Sequence, residues 1–221
     1  ELVDHLEWVA SQHSAPESQA ALFGQAAEVA SEKLGDGVRA VDLRRRQLVL
    51  MPGEEAALHA LEGLLTAQQL WADLANHYRH WIQTAAGTAG ELDIRLRRAT
   101  VLEEELEDVA GAIDEGLAAL ALRQEGSALE FLEELMVRVP ANLSGEGGLE
   151  LRRLALALEA ALPPEHDWAK RAAVEEALLD TAESVEEEVV RLKALGELRW
   201  SQGGDPAGAF TAYRRALLKD G

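Results

Sequence analysis

The sequence predicts an all-α protein of about twelve helices, arranged as antiparallel helix pairs. Hydrophobic residues make up 48% of the chain but aromatic residues only 5%, so Leu, Ala and Val supply most of the apolar surface. Ala and Leu favour helix, as do the Glu and Arg residues that dominate the charged set. Six prolines in 221 residues leave long uninterrupted stretches. An internal repeat is the third indication.

The repeat has a period of 72 residues and needs no gap. Its landmarks are Asp36 and Asp108, and the residues around them match in pairs. The matched pairs are Leu2 and Leu74, His5 and His77, Ala27 and Ala99, Val29 and Val101, Glu32 and Glu104, Leu34 and Leu106, Ala40 and Ala112, Asp42 and Asp114, and Leu48 and Leu120. A fixed period is typical of stacked repeats, so we expect the segments near 16–50 and 88–122 to share one geometry.

Local signals justify the helices in order along the chain. Capping boxes predict helix starts at Ser14 with Glu17, Thr88 with Glu91, and Ser184 with Glu187. Glycine and proline breaks fall at 34–37, 51–53, 163–164 and 203–206. The helix after Thr88 also carries an apolar stripe at every third or fourth residue. The predicted helices lie near 1–13, 16–33, 37–50, 54–67, 70–85, 89–106, 109–122, 126–138, 148–162, 165–180, 185–202 and 206–219.

The period changes in the second half of the chain. Leu61 recurs at Leu132, 71 residues later, whereas Ala112 recurs at Ala209, 97 residues later. We therefore expect one repeat domain over 1–221 with an irregular insertion at 136–167, made of an exposed loop at 141–148 and a helix without a repeat partner. The insertion is either a packing irregularity or a functional outgrowth. Because the chain starts inside a repeat, we also expect it to be part of a longer protein.

The last helix pair carries a recognisable pattern. Residues 195–217 contain Leu195-Gly196 and Trp200, followed by Ala209, Tyr213, Ala216 and Leu217. A weaker copy at 60–81 contains Leu61, Leu64, Trp71, Leu74, Tyr78 and Trp81. These residues resemble the tetratricopeptide repeat (TPR), in the degenerate paired form of large bacterial TPR scaffold proteins. The resemblance implies a right-handed α-solenoid in which aromatic residues such as Tyr213 fill a close-packed seam.

Charge narrows the classes of partner. The formal net charge is −19, from 40 acidic and 21 basic residues. Such a surface repels phosphate backbones and anionic lipid, which argues against nucleic acid and membrane partners. It favours a basic protein or peptide, unless the charge serves solubility alone. No apolar run approaches the ~18 residues that span a bilayer, so we expect no membrane insertion and a cytoplasmic location, with a removed signal peptide left open.

The sequence contains no recognisable catalytic or metal-binding motif. The sequence has no cysteine, and no phosphate-binding loop, nucleophile elbow or zinc-protease helix. His77 and His80 have a spacing that could share a metal, but no further ligand accompanies them. The glutamate runs at 103–105 and 186–188 point in several directions on a helix and indicate solvated surface. The sequence therefore predicts no enzyme, no metal and no cofactor.

The TPR resemblance implies a concave wall formed by the first helix of each pair. It assigns to this wall Glu28, His59, Arg97, Thr100, Glu103, Glu130, Glu134, Arg138, Lys193, Glu197 and Trp200. The family's carboxylate-gripping asparagines are missing and glutamates prevail. We therefore expect a non-catalytic protein–protein interaction scaffold that binds a basic protein or peptide. The alternatives are a ligand- or peptide-sensing regulatory domain, with 139–165 as its lid or pocket, and a helical enzyme.

Overall fold

The computed structural model describes residues 1–122, 126–139 and 146–220, and these residues form twelve α-helices and a π-helical turn, without a strand. The helices are α1 (Leu2–Gln12), α2 (Pro16–Glu28), α3 (Gly37–Leu50), α4 (Glu55–Ala67), α5 (Trp71–Ala85), α6 (Glu91–Glu104), α7 (Val109–Ala121), α8 (Ser127–Arg138), α9 (Glu146–Ala161), α10 (Trp168–Asp180), α11 (Val185–Ser201) and α12 (Pro206–Asp220). The π-helical turn, Val29–Lys33, continues α2. The all-α prediction is confirmed.

Two compact units make up the chain. Unit 1, Glu1–Asp108, contains α1 to α6, and unit 2, Val109–Gly221, contains α7 to α12. Within each unit every helix packs against the next one in the sequence. None of the described helices combines the length and apolar character needed to cross a bilayer.

Apolar side chains from successive helices build the core of unit 1. One cluster joins α1, α2 and α3 through residues such as Val3, Phe23 and Leu43. A second joins α3 to α6 and includes Leu58, Leu61, Leu65, Leu74, Tyr78, Trp81 and Ile94. Trp81 is buried and Trp71 is partly buried against the same cluster, so the predicted packing role of both tryptophans is confirmed.

Three turns between helices share one hydrogen-bond pattern. The Leu34 N–H donates to the Val29 carbonyl at 3.3 Å and the Asp36 N–H to the Ala30 carbonyl at 2.9 Å. The same pair of bonds recurs from residues 106 and 108 to residues 101 and 102, and again from residues 203 and 205 to residues 198 and 199. The sequence repeat is therefore also a repeat of local backbone geometry at these turns.

Each of these turns needs one residue in the left-handed region. Gly35 and Gly204 fill this position with φ of 65° and 57°, but Glu107 fills it with φ of 54°. The left-handed conformation costs an L-residue about 1–2 kcal/mol, whereas glycine adopts it freely. Glycine also loses more backbone entropy on folding, which offsets part of the gain.

Glu107→Gly should therefore raise the free energy of unfolding by ~0.5 kcal/mol, measured by urea denaturation. The matched change in the opposite direction, Gly35→Ala, should lower it by ~1 kcal/mol. Equal stability of Glu107→Gly and the unchanged protein would show that the turn at 101–108 relieves its strain in another way.

Alanine and glycine form the seams between paired helices. Ala40, Ala112 and Ala209 occupy equivalent repeat positions and are at most 1% exposed. Gly196 packs so closely on the Tyr213 ring that a β-carbon there would lie 2.8 Å from it. Tyr213 itself is half-buried, because α12 packs mainly on α11 and leaves its other side open. The predicted burial of Ala209 is confirmed, whereas Tyr213 is packed against Gly196 but only half-buried.

Of the three predicted capping boxes, one is confirmed and two are wrong. The Glu187 N–H donates to Ser184 Oγ at 3.1 Å, which confirms this helix start. The Ser14 box is wrong, because Pro16 occupies the first turn of α2 and places the uncapped N-cap at Ala15. The Thr88 box is also wrong, because the Thr88 hydroxyl donates to the Ala85 carbonyl.

The predicted insertion at 136–167 is built around α9. Residues 140–145, which include most of the predicted loop, lie outside the described residues. Gly147 and Gly148 were expected in that loop but lie within α9. Leu151, Leu154 and Leu158 of α9 are at most 2% exposed, and the helix packs against α7, α8 and α10. This helix is therefore part of the core of unit 2, as the packing interpretation expects.

Candidate binding surfaces

The structure distributes the predicted wall residues between the two units. Glu28, His59, Arg97, Thr100 and Glu103 lie in unit 1, and the remaining six lie in unit 2 on α8 and α11. Thr100 and Glu103 are half-buried, whereas the other nine are exposed. The Thr100 hydroxyl donates to the Leu96 carbonyl of its own helix at 3.0 Å. Most of these side chains are thus available at the surface of their own unit.

A carboxylate that was not predicted brings two wall residues of unit 1 together. Glu62 of α4 accepts hydrogen bonds from the Tyr78 hydroxyl at 2.6 Å and from Arg97 Nη1 at 2.9 Å. His59 Nδ1 lies 3.1 Å from its other oxygen. Because these partners come from α4, α5 and α6, Glu62 ties three helices together beneath the surface that carries His59 and Arg97.

The electrostatics of this cluster favour a fixed negative charge. Burial by itself would raise the pKa of the Glu62 carboxyl, but the bonds from Tyr78, Arg97 and His59 outweigh it and lower that pKa. Burial and the same carboxylate raise the pKa of Tyr78. Glu62 therefore stays ionised near neutral pH with its oxygens engaged, an arrangement suited to holding helices rather than to transferring protons.

Unit 2 has a counterpart of this cluster at the matching repeat position. Glu133 follows Leu132 as Glu62 follows Leu61, and its carboxylate is buried. His166 Nε2 lies 2.7 Å from one of its oxygens and Lys170 Nζ lies 2.5 Å from the other. The hydrogen bond to Glu133 raises the pKa of Lys170. The recurrence of the Leu-Glu pair was the sequence signal that could have identified both carboxylates.

Several predicted wall residues have partners within their own unit. Glu28 pairs with Arg44 Nη2 at 3.3 Å, and Lys193 pairs with Asp220 at 3.2 Å. Glu197 accepts a hydrogen bond from the Tyr213 hydroxyl at 3.1 Å. Trp200, in contrast, is 64% exposed on α11. The predicted wall is therefore partly neutralised at Glu28 and Lys193.

Glu130 and Glu134 of α8 are two exposed acidic residues of the predicted wall. They lie one helical turn apart, on either side of the buried Glu133, and both are exposed. Neither forms an ion pair within the part of unit 2 that the structure describes, although the charge of Glu130 contributes to the raised pKa of Lys170. These two exposed carboxylates therefore offer negative charge to a partner.

A groove of about 560 Å³ runs beside α5 in unit 1. Its apolar wall includes Leu48, Pro52 and Leu61, and its polar side includes His77 and His80. Burial lowers the pKa of His77, whose Nε2 lies 3.0 Å from the Leu58 carbonyl. Ligand pockets commonly have volumes of about 300–1,000 Å³, so the groove is large enough for a small molecule. None of its lining residues belongs to the 139–165 segment, which the sequence analysis named as the lid or pocket of a sensing domain.

No metal site forms around the two histidines. His77 directs one nitrogen to a backbone carbonyl and His80 is exposed. Across residues 1–122, 126–139 and 146–220, no three His, Cys, Asp or Glu side chains are grouped so as to hold a metal ion.

Comparisons with known proteins give little further information. No protein-family model matches the sequence, and no curated protein matches it. Among solved structures, the crystal structure of BtubC (BKLC) from P. vanneervenii is 14% identical, with a TM-score of 0.35. The match covers 99% of this chain and 87% of that one. A likeness at this level carries no argument about fold family or function.

Proposed function

We propose that this chain is a non-catalytic interaction scaffold of the TPR type, a right-handed solenoid that binds a basic protein or peptide. In unit 2 the binding surface would be the exposed acidic side of α8, which carries Glu130 and Glu134. The observation that carries the proposal is the presence of these two exposed carboxylates in a chain of net charge −19.

The distribution of ion pairs supports an acidic binding surface. Most lysines and arginines of the described residues are already paired with carboxylates of their own unit, as Arg39 is with Glu7 and Arg191 with Glu175. The surplus of acidic residues therefore remains uncompensated at the surface. Clusters of one sign accelerate association with partners of the opposite sign and weaken it as salt is added.

Charge reversal at α8 tests the proposal. The probes are a labelled amphipathic helical peptide with lysines on its polar face and a counterpart with glutamates at the same positions. We expect Glu130→Lys/Glu134→Lys to weaken binding of the lysine peptide about tenfold at low salt, and not to weaken any binding of the glutamate peptide. Fluorescence anisotropy measures the Kd, and circular dichroism should show unchanged helix because both side chains are exposed.

The control variant has the same net charge as the α8 variant but carries its two charge reversals elsewhere in unit 2. Glu165 and Glu186 are exposed residues of unit 2 outside α8, so Glu165→Lys/Glu186→Lys changes the total charge equally. This variant should retain most of the affinity. Equal losses in both variants would reveal a diffuse charge effect, and an undiminished Kd in the α8 variant at low and high salt would reject the acidic surface.

The groove beside α5 favours a second candidate, a ligand- or peptide-sensing regulatory domain. Its volume of about 560 Å³ and its mixed apolar and imidazole lining would suit a small organic ligand. If the chain is such a sensing domain, a small molecule that binds the groove should raise the Tm of unit 1. Glu130→Lys/Glu134→Lys should leave this rise in Tm unchanged.

A further inference from the structure

One face of α12 exposes large apolar side chains. Phe210 and Leu217 are 66% and 72% exposed, and the half-buried Tyr213 lies between them. Residues three, four and seven apart share one side of a helix, so these three side chains form a continuous stripe. On the neighbouring helix α11, the Trp200 side chain is also exposed, at 64%. We call Trp200, Phe210, Tyr213 and Leu217 the α12 face.

The equivalent repeat positions elsewhere in the chain show what the α12 face would contact. Phe210 follows Ala209 as Val41 follows Ala40 and Ile113 follows Ala112. Val41 and Ile113 are only 5% and 0% exposed. Val41 belongs to one core cluster with Leu58 and Leu61 of α4. In unit 1, therefore, the position equivalent to Phe210 is covered by the helix that follows.

Two further positions give the same correspondence. Leu217 is equivalent to Leu48, which packs against the cluster that contains Leu58 and Leu61. Trp200 is equivalent to Ser31, which lines a cavity of about 250 Å³ together with Ala60, Gly63 and Leu64 of α4. The larger Trp200 would fill such a space. Each exposed apolar residue of the α12 face thus corresponds to a residue that lies beside α4 in unit 1.

Charge at α12 is opposite to that of the whole chain. Arg214 and Arg215 are exposed and form no ion pair within the described ranges. Arg214 is equivalent to Arg45, whose Nη2 pairs with Asp73 Oδ1 of α5 at 3.0 Å. The α4 segment 54–67 contains three glutamates and no lysine or arginine. An α4-like helix would therefore complement α12 in charge as well as in shape.

We propose that the α12 face binds an acidic amphipathic helix with the pattern of α4. The bound helix would place leucines at the spacing of Leu58, Leu61 and Leu65 on the stripe, and carboxylates near Arg214. The α12 face is distinct from the acidic surface on α8, which would bind a basic partner, whereas the α12 face would bind an acidic one. The two proposals can therefore be tested separately.

The chain's own α4 provides the probe. A labelled peptide with the sequence of residues 53–86, which contains α4 and α5, is titrated with the full chain, and the anisotropy is followed. A side-chain-stapled peptide of residues 54–70 is titrated in parallel, because an isolated helix of this length is only marginally stable. We expect saturable binding of both peptides, weakened at high salt. Arg214→Glu should weaken binding of the 53–86 peptide more, because it alone contains Asp73.

Matched variants locate the site. Phe210→Asp/Leu217→Asp should weaken binding of the stapled peptide at least about tenfold, because central apolar anchors dominate helix docking. Val137→Asp/Leu149→Asp makes the same chemical change at two other exposed apolar residues of unit 2 and should bind as the unchanged chain does. Circular dichroism confirms that both variants remain helical.

Three outcomes would overturn the proposal. The stapled peptide could fail to bind the unchanged chain, or it could bind both double variants equally. Alternatively, sedimentation could show a concentration-dependent dimer that Phe210→Asp/Leu217→Asp abolishes while the peptide has no effect. That last result would assign the α12 face to a second copy of the chain instead of an acidic helix.

Discussion

Trp81→Ala should lower the free energy of unfolding of unit 1 by ~3–5 kcal/mol, the usual cost of truncating a large buried aromatic side chain. Trp81 is 7% exposed in the cluster that joins α3 to α6. Its ring lies 4.7 Å from the His59 ring in an edge-to-face arrangement and 6.4 Å from the Tyr78 ring. Because the indole links α4 to α5, its removal leaves a cavity that neighbouring side chains cannot fill without shifting the helices.

Guanidinium denaturation followed by helical circular dichroism measures this loss. Trp200→Ala is the matched control, because that indole is 64% exposed and its truncation should change stability by less than ~0.5 kcal/mol. A loss of under ~1 kcal/mol for Trp81→Ala would mean that the cluster does not depend on the indole.

Gly116 and Leu132 should show strong energetic coupling in unit 2. A β-carbon on Gly116 would lie 2.5 Å from Leu132 Cδ2, and Leu132 is completely buried. Gly116→Ala should therefore cost ~1–3 kcal/mol through overpacking, although alanine is intrinsically the better helix former by ~1 kcal/mol. Leu132→Ala should cost ~2–5 kcal/mol through the cavity that it leaves.

The double variant distinguishes overpacking from general damage to the helix. With Leu132 already shortened, the 2.5 Å contact is gone and Phe131 Cδ1 at 3.2 Å is the tight neighbour that remains, so Gly116→Ala should become neutral or stabilising by up to ~1 kcal/mol. Urea denaturation of the four proteins gives the coupling energy. Simple additivity of the two changes would show that α7 and α8 can move apart to accept the extra carbon.

Helix positions were predictable from the sequence because their signals are local. The breaks at 34–37 and 203–206, and the cap at Ser184, act within a few residues of the helix ends that they define. One of the two wrong capping boxes, at Thr88, has an equally local cause, since the Glu91 carboxylate accepts a bond from the Gly87 N–H at 2.7 Å instead. This backbone bond also lowers the pKa of Glu91.

The candidate surfaces were less predictable because their partners are distant in the chain. Glu62 was assigned no role, yet its bonds reach Tyr78 and Arg97, 16 and 35 residues away. Lys170 reaches Glu133 over 37 residues. The TPR alignment placed His59 and Arg97 on one wall without showing the carboxylate between them. Pairing across helices depends on how the helices pack, and single-helix periodicity does not contain that information.

The alanines at residues 40, 112 and 209 have a consequence for how this protein can vary. Alanine has no side-chain rotamers to immobilise, so a seam built on it forms without the entropy cost of ordering a longer side chain. Its single methyl group also lets the two helices of a seam approach closely. Substitution by anything larger would force the pair apart, whereas the surrounding positions can exchange arginine, glycine and tyrosine, as they do at residues 44, 116 and 213. Substitutions at these surrounding positions can therefore change the surface of the protein while the spacing of its helices stays constant.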